Sequence, residues 1–161
     1  MKKLYLLRHA EASSDFSSDD KDRSLTSHGV AQARLLAHHF IDIDITLCSS
    51  AKRTQMTAEA VKESDGNLGT IEYQDFLYNA PAGDLLGALQ ERSENNVLII
   101  AHNPGIHMLA RSIADKGDQE QRDKLSLFYP PASLSIFDCD IESWKQLEPY
   151  SQKLLDFITQ D

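Results

Sequence analysis

Apolar and polar positions fall into short blocks along this chain, and the blocks carry two different periods. Lys3 to Leu7 is an apolar run that stops at Arg8 and His9, the pattern of a short buried strand. A charged stretch, Ser13 to Ser24, is too polar to pack and reads as a loop. Thr26 then offers a cap for a helix whose Val30, Ala33, Leu36, Ala37 and Phe40 share one face at spacings of three and four. Ile43 to Cys48 predicts a second strand, and Ser49 and Ser50 offer caps for a helix from about Ala51 to Glu63. Ile71 to Tyr73 predicts a strand, Gly83 to Arg92 a helix, Val97 to Ala101 a fully buried strand, and Ile106 to Ala114 a helix. The remainder predicts strands at Ser133 to Asp138 and Trp144 to Leu147, turned at Asp140 to Ser143, and a terminal helix from Gln152 to Ile158. Alternating strands and helices of this kind predict an α/β, three-layer αβα sandwich with a mostly parallel sheet and an antiparallel C-terminal hairpin.

Composition narrows the picture. The chain has 161 residues and is 41% hydrophobic, enough for one domain over residues 1–161 with a core that needs no disulfide or metal. Its formal net charge is -9, which disfavours nucleic acid and anionic membrane surfaces as partners. A small basic pocket is still compatible with that balance. Cys48 and Cys139 are far apart and form no metal-ligand spacing, so both are expected as reduced core residues of a cytoplasmic protein. Lys2 and Lys3 before an apolar stretch imitate a secretion signal, but Arg8 and His9 interrupt it after four residues.

In open parallel sheets, ligands bind beyond the carboxyl ends of the strands, and three chemically suggestive segments lie there. Arg8-His9 follows the first predicted strand, a rigid place for a nucleophile, although a surface pair at a strand end has the same sequence. His102 leaves the Val97–Ala101 strand in the turn Ala101-His102-Asn103-Pro104-Gly105, just before a helix N-terminus that favours anions. Arg53 lies in the first turn of the helix after the second strand, where a planar guanidinium can grip two phosphate oxygens. Together Arg8, Arg53 and two histidines at one sheet edge make a site for a tetrahedral dianion.

These residues, with the segment Ser49-Ser50-Ala51-Lys52-Arg53-Thr54-Gln55-Met56-Thr57-Ala58, resemble the histidine phosphatase superfamily, the phosphoglycerate mutase-like proteins. The short chain, the segment Arg23-Ser24-Leu25-Thr26-Ser27-His28-Gly29 and the Ala-His-Asn-Pro-Gly turn are similar to its SixA-type phosphohistidine phosphatases. Ala10 stands where the superfamily pattern usually has glycine, and Ser50 where it usually has proline; neither changes a reacting group. The resemblance implies that His9 attacks phosphorus to form a phosphohistidine that water hydrolyses, while Arg8, Arg53 and His102 bind the equatorial oxygens. Physical chemistry favours the same roles. Phosphoryl transfer is mostly positioning and charge stabilisation, and a neutral imidazole is available near pH 7. His102 is expected to work better as a cation, so that the two histidines titrate apart. Arg23 matches an arginine of the SixA-type loop that resembles a substrate contact, although Asp19-Asp20-Lys21-Asp22-Arg23 reads equally as a solvated charged loop.

The general acid is not assigned. Glu72, Asp75 and Asp84 lie in the right third of the chain, each also readable as a strand-end or cap carboxylate. A phosphoramidate escapes the need for a strong acid, because an imidazole leaving group can be protonated on its own ring. His38-His39 and His107 lack the spacing of metal ligands on one helical face, so neither a metal nor another cofactor is expected. The leading expectation is a metal-independent phosphatase acting on phosphohistidine in a protein, as in phosphotransfer signalling. A phosphatase of small phosphate esters or sugar phosphates, and a non-catalytic phosphate-binding module, are the alternatives.

Overall fold

The computed structural model describes residues 1–160; Asp161, the last residue of the expected domain, lies outside them. Seven strands form one sheet: β1 (Lys2–Arg8), β2 (Ile45–Ser49), β3 (Thr70–Gln74), β4 (Asn96–Ala101), β5 (Ala114–Gly117), β6 (Leu134–Cys139) and β7 (Gln152–Ile158). Their order across the sheet is β3-β2-β4-β1-β6-β7-β5. β6 runs antiparallel to both of its neighbours, and the other neighbouring pairs are parallel. Five α-helices cover the faces: α1 (Ser27–Leu35), α2 (Lys52–Glu63), α3 (Ala82–Gln90), α4 (Gly105–Ile113) and α5 (Gln119–Leu127).

The central strands are apolar at successive positions because both of their faces are covered. Leu4 and Leu6 of β1, with Val97, Ile99 and Ala101 of β4, face one core, into which α3, α4 and α5 send Leu85, Leu89, Ile106, Leu109 and Leu125. Tyr5 and Leu7, with Leu98 and Ile100, face the other core, closed by Ala33 of α1 and by Ala58 and Val61 of α2. The expected three-layer α/β sandwich is thus the architecture found.

The register fixes the place of the site. Arg8 pairs with Ala101 and Cys48 with Ile100, so β1, β2 and β4 end at the same edge, and their following residues emerge side by side. Helices α2 and α4 start directly behind β2 and β4, so their N-termini open onto that edge. Gly105 is required there: a side chain on it would place Cβ 2.0 Å from the Ala80 carbonyl oxygen.

The C-terminal third departs from the sequence pattern. In place of the strand expected at Trp144–Leu147 the chain forms a 3-10 turn, Trp144–Gln146, capped by Ser143, with the buried Trp144 indole donating to the Glu94 carbonyl at 2.7 Å. Gln152–Ile158, expected as a helix, is strand β7 and supplies the second arm of the antiparallel pair with β6. A bulge explains the misreading. The β6–β7 register slips beside Leu155, so Leu154 and Phe157 are both buried at a spacing of three, which imitates a helical period. Helix α5 was hidden for the opposite reason, since Leu125 is its one buried residue and its start rests on the Asp118 side chain accepting from the Gln121 N–H.

Candidate active site

His9 and His102 emerge next to one another at the ends of β1 and β4, their ring centroids 5.3 Å apart. Both are nearly buried, at 7% and 3% exposure, and Arg53 in the first turn of α2 is exposed by 3%. Arg8 extends from the last residue of β1, with Nη1 donating to the Tyr129 carbonyl at 2.9 Å. Tyr78 forms a wall: its ring meets His102 edge-on at 5.6 Å, and the Arg53 guanidinium lies 5.8 Å from its centre. Thus His9, Arg8, Arg53 and His102 lie together at one edge of the sheet.

The hydrogen bonds give each ring a direction. His9 Nδ1 lies 2.7 Å from the Ala10 carbonyl oxygen, which can only accept. Nδ1 therefore carries the hydrogen, and the Nε2 lone pair is left free for nucleophilic attack. His102 Nε2 lies 2.8 Å from Ser49 Oγ, and Ser49 Oγ accepts from the Ala51 N–H at 3.3 Å. With the serine proton directed to Nε2, His102 Nδ1 carries its hydrogen. Arg8 Nε, Arg53 Nε and His102 Nδ1 are all buried and have no hydrogen-bond partner in the protein. Orphaned buried donors are costly, and such a group around one imidazole fits three oxygens of a bound anion.

Burial pushes the His9 imidazole down to about 4, helped by the charges of Arg8, Arg53 and Arg23 and opposed by the Ala10 carbonyl. His102 is pushed down to about 3, first by burial and then by His9 and Arg53. Both rings therefore resist protonation, because burial among guanidiniums outweighs the nearby Asp20 carboxylate, and the cationic His102 expected from sequence is disfavoured until a phosphoryl dianion adds its charge.

This arrangement has a consequence for stability. The unfolded chain takes up protons on each histidine near about 6.5, whereas the folded chain resists until its lower value. Between those limits the unfolded state binds more protons, so stability falls as the pH drops below about 6.5, by about 1.4 kcal/mol per unit per histidine. The loss ends near pH 4 for His9 and near pH 3 for His102. Urea unfolding at several pH values between about 7 and 4 should show this slope, reduced in His102→Asn; an unchanged slope would place its origin elsewhere.

Arg23 is also brought to the site, since its charge acts on His9. It is held by the Ser13 carbonyl at 2.9 Å and by Asp20 at 3.0 Å, while its guanidinium lies 5.7 Å from the ring centre of Phe16. The three carboxylates considered as acids are placed differently. Glu72 is paired with Arg92 at 2.9 Å, Asp84 lines a separate groove with Phe76 and Gly87, and Asp75 sits at the rim, bound to Lys21 at 3.0 Å and to Ser50. Sequence reasoning missed Asp20 and Tyr78. Asp20 accepts from Arg53 Nη2 at 3.1 Å, from Arg23 and from the Tyr78 hydroxyl, and Tyr78 holds it well below the carboxylate range, at about 2. Asp20 carried no distinguishing signal within a run of charged loop residues. Among the described residues, no three His, Cys, Asp or Glu side chains are grouped to hold a metal ion.

A mostly parallel sheet in an α/β sandwich thus brings two histidines and the charges of Arg8 and Arg53 together at the ends of its central strands. Residues 4–91, more than half of the chain, match the family model of the histidine phosphatase superfamily, branch 1, and the chain belongs to that family. No curated protein matches it in sequence. Among solved structures, it is similar to a protein provisionally assigned as phosphohistidine phosphatase SixA from Nakamurella multipartitia, with a TM-score of 0.83 at 23% identity over 98% of this chain and 95% of that one. The protein histidine phosphatase SixA complexed with tungstate gives 0.76 at 21% identity over 98% and 96%. A protein provisionally assigned as an α-ribazole-5'-P phosphatase from Escherichia coli K-12 gives 0.64 at 19% over 95% and 94%. No described helix is long and apolar enough to cross a membrane.

Proposed function

We propose that this chain, as one domain, is a metal-independent phosphatase that passes a phosphoryl group through His9 and takes it from phosphohistidine in a protein. The observation that carries the reading is the set of three buried, unpartnered nitrogens, Arg8 Nε, Arg53 Nε and His102 Nδ1, beside an imidazole whose Nε2 is free. In the first step Nε2 bonds to phosphorus as the bond to the leaving group breaks and its electron pair departs with that group. In the second, water attacks phosphorus, the P–N bond breaks, and phosphate leaves. Arg8, Arg53 and His102 hold the three equatorial oxygens throughout, which is the main contribution a protein makes to phosphoryl transfer.

Features of the rim support this substrate class. Among the described residues, the two carboxylates placed at the site, Asp20 and Asp75, are both held below the usual carboxylate range by their hydrogen-bond partners, and this favours a leaving group that brings its own proton. A phosphorylated imidazole does so on its second ring nitrogen and departs neutral. Phe16, 77% exposed beside Arg23, offers an aromatic contact to a protein carrier. The likeness to the SixA structures supports the same choice, and the likeness to the α-ribazole-5'-P phosphatase keeps small esters as the second reading.

The test is a substrate profile in excess chelator. Phosphohistidine in a carrier protein should be turned over with kcat/KM at least about tenfold above simple phosphate esters, a difference of about 1.4 kcal/mol in transition-state binding. A strong preference for esters would move the assignment to the second reading, and strict dependence on added metal would remove the mechanism.

A further inference from the structure

Asp20 has no role in the chemistry above, yet it is bound to more of the site than any other carboxylate described here. Its Oδ1 accepts from Arg23 Nε at 3.0 Å and lies 3.0 Å from Arg23 Nη2; its Oδ2 accepts from Arg53 Nη2 and from the Tyr78 hydroxyl. Its backbone oxygen also accepts from Arg53 Nη1 at 2.7 Å. Three hydrogen bonds and the second Arg23 contact engage both carboxylate oxygens, so Asp20 is turned towards the arginines and Tyr78 rather than towards a substrate proton. It acts as a fixed negative charge.

We propose that Asp20 sets the charge that the pocket offers its substrate, so that the site accepts one phosphoryl dianion on a carrier that has no second anionic group. The proposal rests on the phosphatase reading and deepens its substrate class. The groups in contact are the guanidiniums of Arg8, Arg23 and Arg53, two histidines, and Asp20. Lys21 and Asp75 beside them neutralise one another at 3.0 Å. With both histidines neutral, three positive charges and one negative leave a surplus of two, which a phosphoryl dianion cancels. Among these groups a further carboxylate on the substrate then meets no uncompensated cation, and it meets Asp20 as a like charge at the rim. Arg23, half-buried in the loop, is already engaged by Asp20 through two guanidinium nitrogens. A histidine carrier, neutral or cationic, suffers no such penalty.

The test compares two substrates of similar size that differ by one carboxylate, glycerol 3-phosphate and 3-phosphoglycerate. In Asp20→Asn the ratio of kcat/KM for 3-phosphoglycerate to that for glycerol 3-phosphate should rise at least about tenfold, chiefly through KM, and Asp20→Glu should return it towards the wild-type ratio. Equal changes for both substrates would make Asp20 a mere holder of Arg53 and overturn the proposal. Calorimetric binding of the same two compounds reads the charge effect without turnover. If no phosphate is released by any protein but the binding ratio shifts in Asp20→Asn, the phosphatase reading fails and the role of Asp20 stands; an unshifted binding ratio removes that role.

Discussion

His9→Ala is expected to abolish phosphate release and phosphoenzyme formation together, with kcat falling by about 10⁴-fold or more, the scale on which a nucleophile working within a unit is lost. Arg8, Arg53 and His102 remain in the variant, so it should still bind an oxyanion. On the proposed mechanism the route it loses is covalent, and a neighbouring ring should not replace it, because His102 Nε2 is taken by Ser49 and its unpartnered Nδ1 is proposed as a donor to the phosphoryl oxygens. The wild-type intermediate should be labile in acid and stable in base, as a P–N bond on an imidazole is. Brief incubation with labelled substrate, quenched at high pH, reads this directly. A stable fold is expected in the variant, since the removed side chain is a buried ring that resists protonation, and its stability should decline less steeply in acid than that of the wild type. Undiminished turnover in His9→Ala would end the covalent mechanism, whatever became of oxyanion binding.

The residues at the strand ends could be found in the sequence because each stands where a strong pattern stops. Leu4 to Leu7 and Val97 to Ala101 are buried on both faces, so a polar residue directly after either run has to emerge at the sheet edge. Periodicity located Arg8, His9 and His102 for that reason, and Arg53 followed from the helix that must return after β2. The C-terminal strands were harder. At Leu155 a bulge breaks the period of two, and at Trp144 a single buried indole fixes a 3-10 turn that apolar content alone presents as a strand. Asp20 and Tyr78 could not have been paired from sequence at all. They are 58 positions apart, and they meet because the loop after β1 folds back onto the start of α2 while the segment after β3 closes from the other side. The resistance of His102 to protonation was equally hidden, because it is set by burial and then by His9 and Arg53, which arrive from different elements.

Arg53→Ala carries the second largest expected effect, a fall in kcat/KM of about 10² to 10⁴-fold. Arg53 is asked for one charge-assisted bond to the phosphoryl group from its free Nε, at about 1.5 to 3 kcal/mol, and losing its charge-assisted bonds to Asp20 adds a comparable amount; each 1.36 kcal/mol is tenfold. Its second task is to hold the loop, through Nη1 to the Asp20 carbonyl at 2.7 Å and Nη2 to the Asp20 carboxylate at 3.1 Å. Lysine retains the charge but has a single nitrogen, which cannot bind two atoms of Asp20 and still present a donor inwards. Arg53→Lys should therefore recover little, well under a tenth of the wild-type kcat/KM. Tungstate affinity measured alongside separates the two tasks. If the inward Nε carries the effect, tungstate binding and turnover fall together in both variants; if the loop anchor carries it, tungstate binding survives and Asp20→Asn reproduces much of the loss. Wild-type kinetics in Arg53→Lys would show that a point charge suffices and that the planar fork contributes nothing to the transition state.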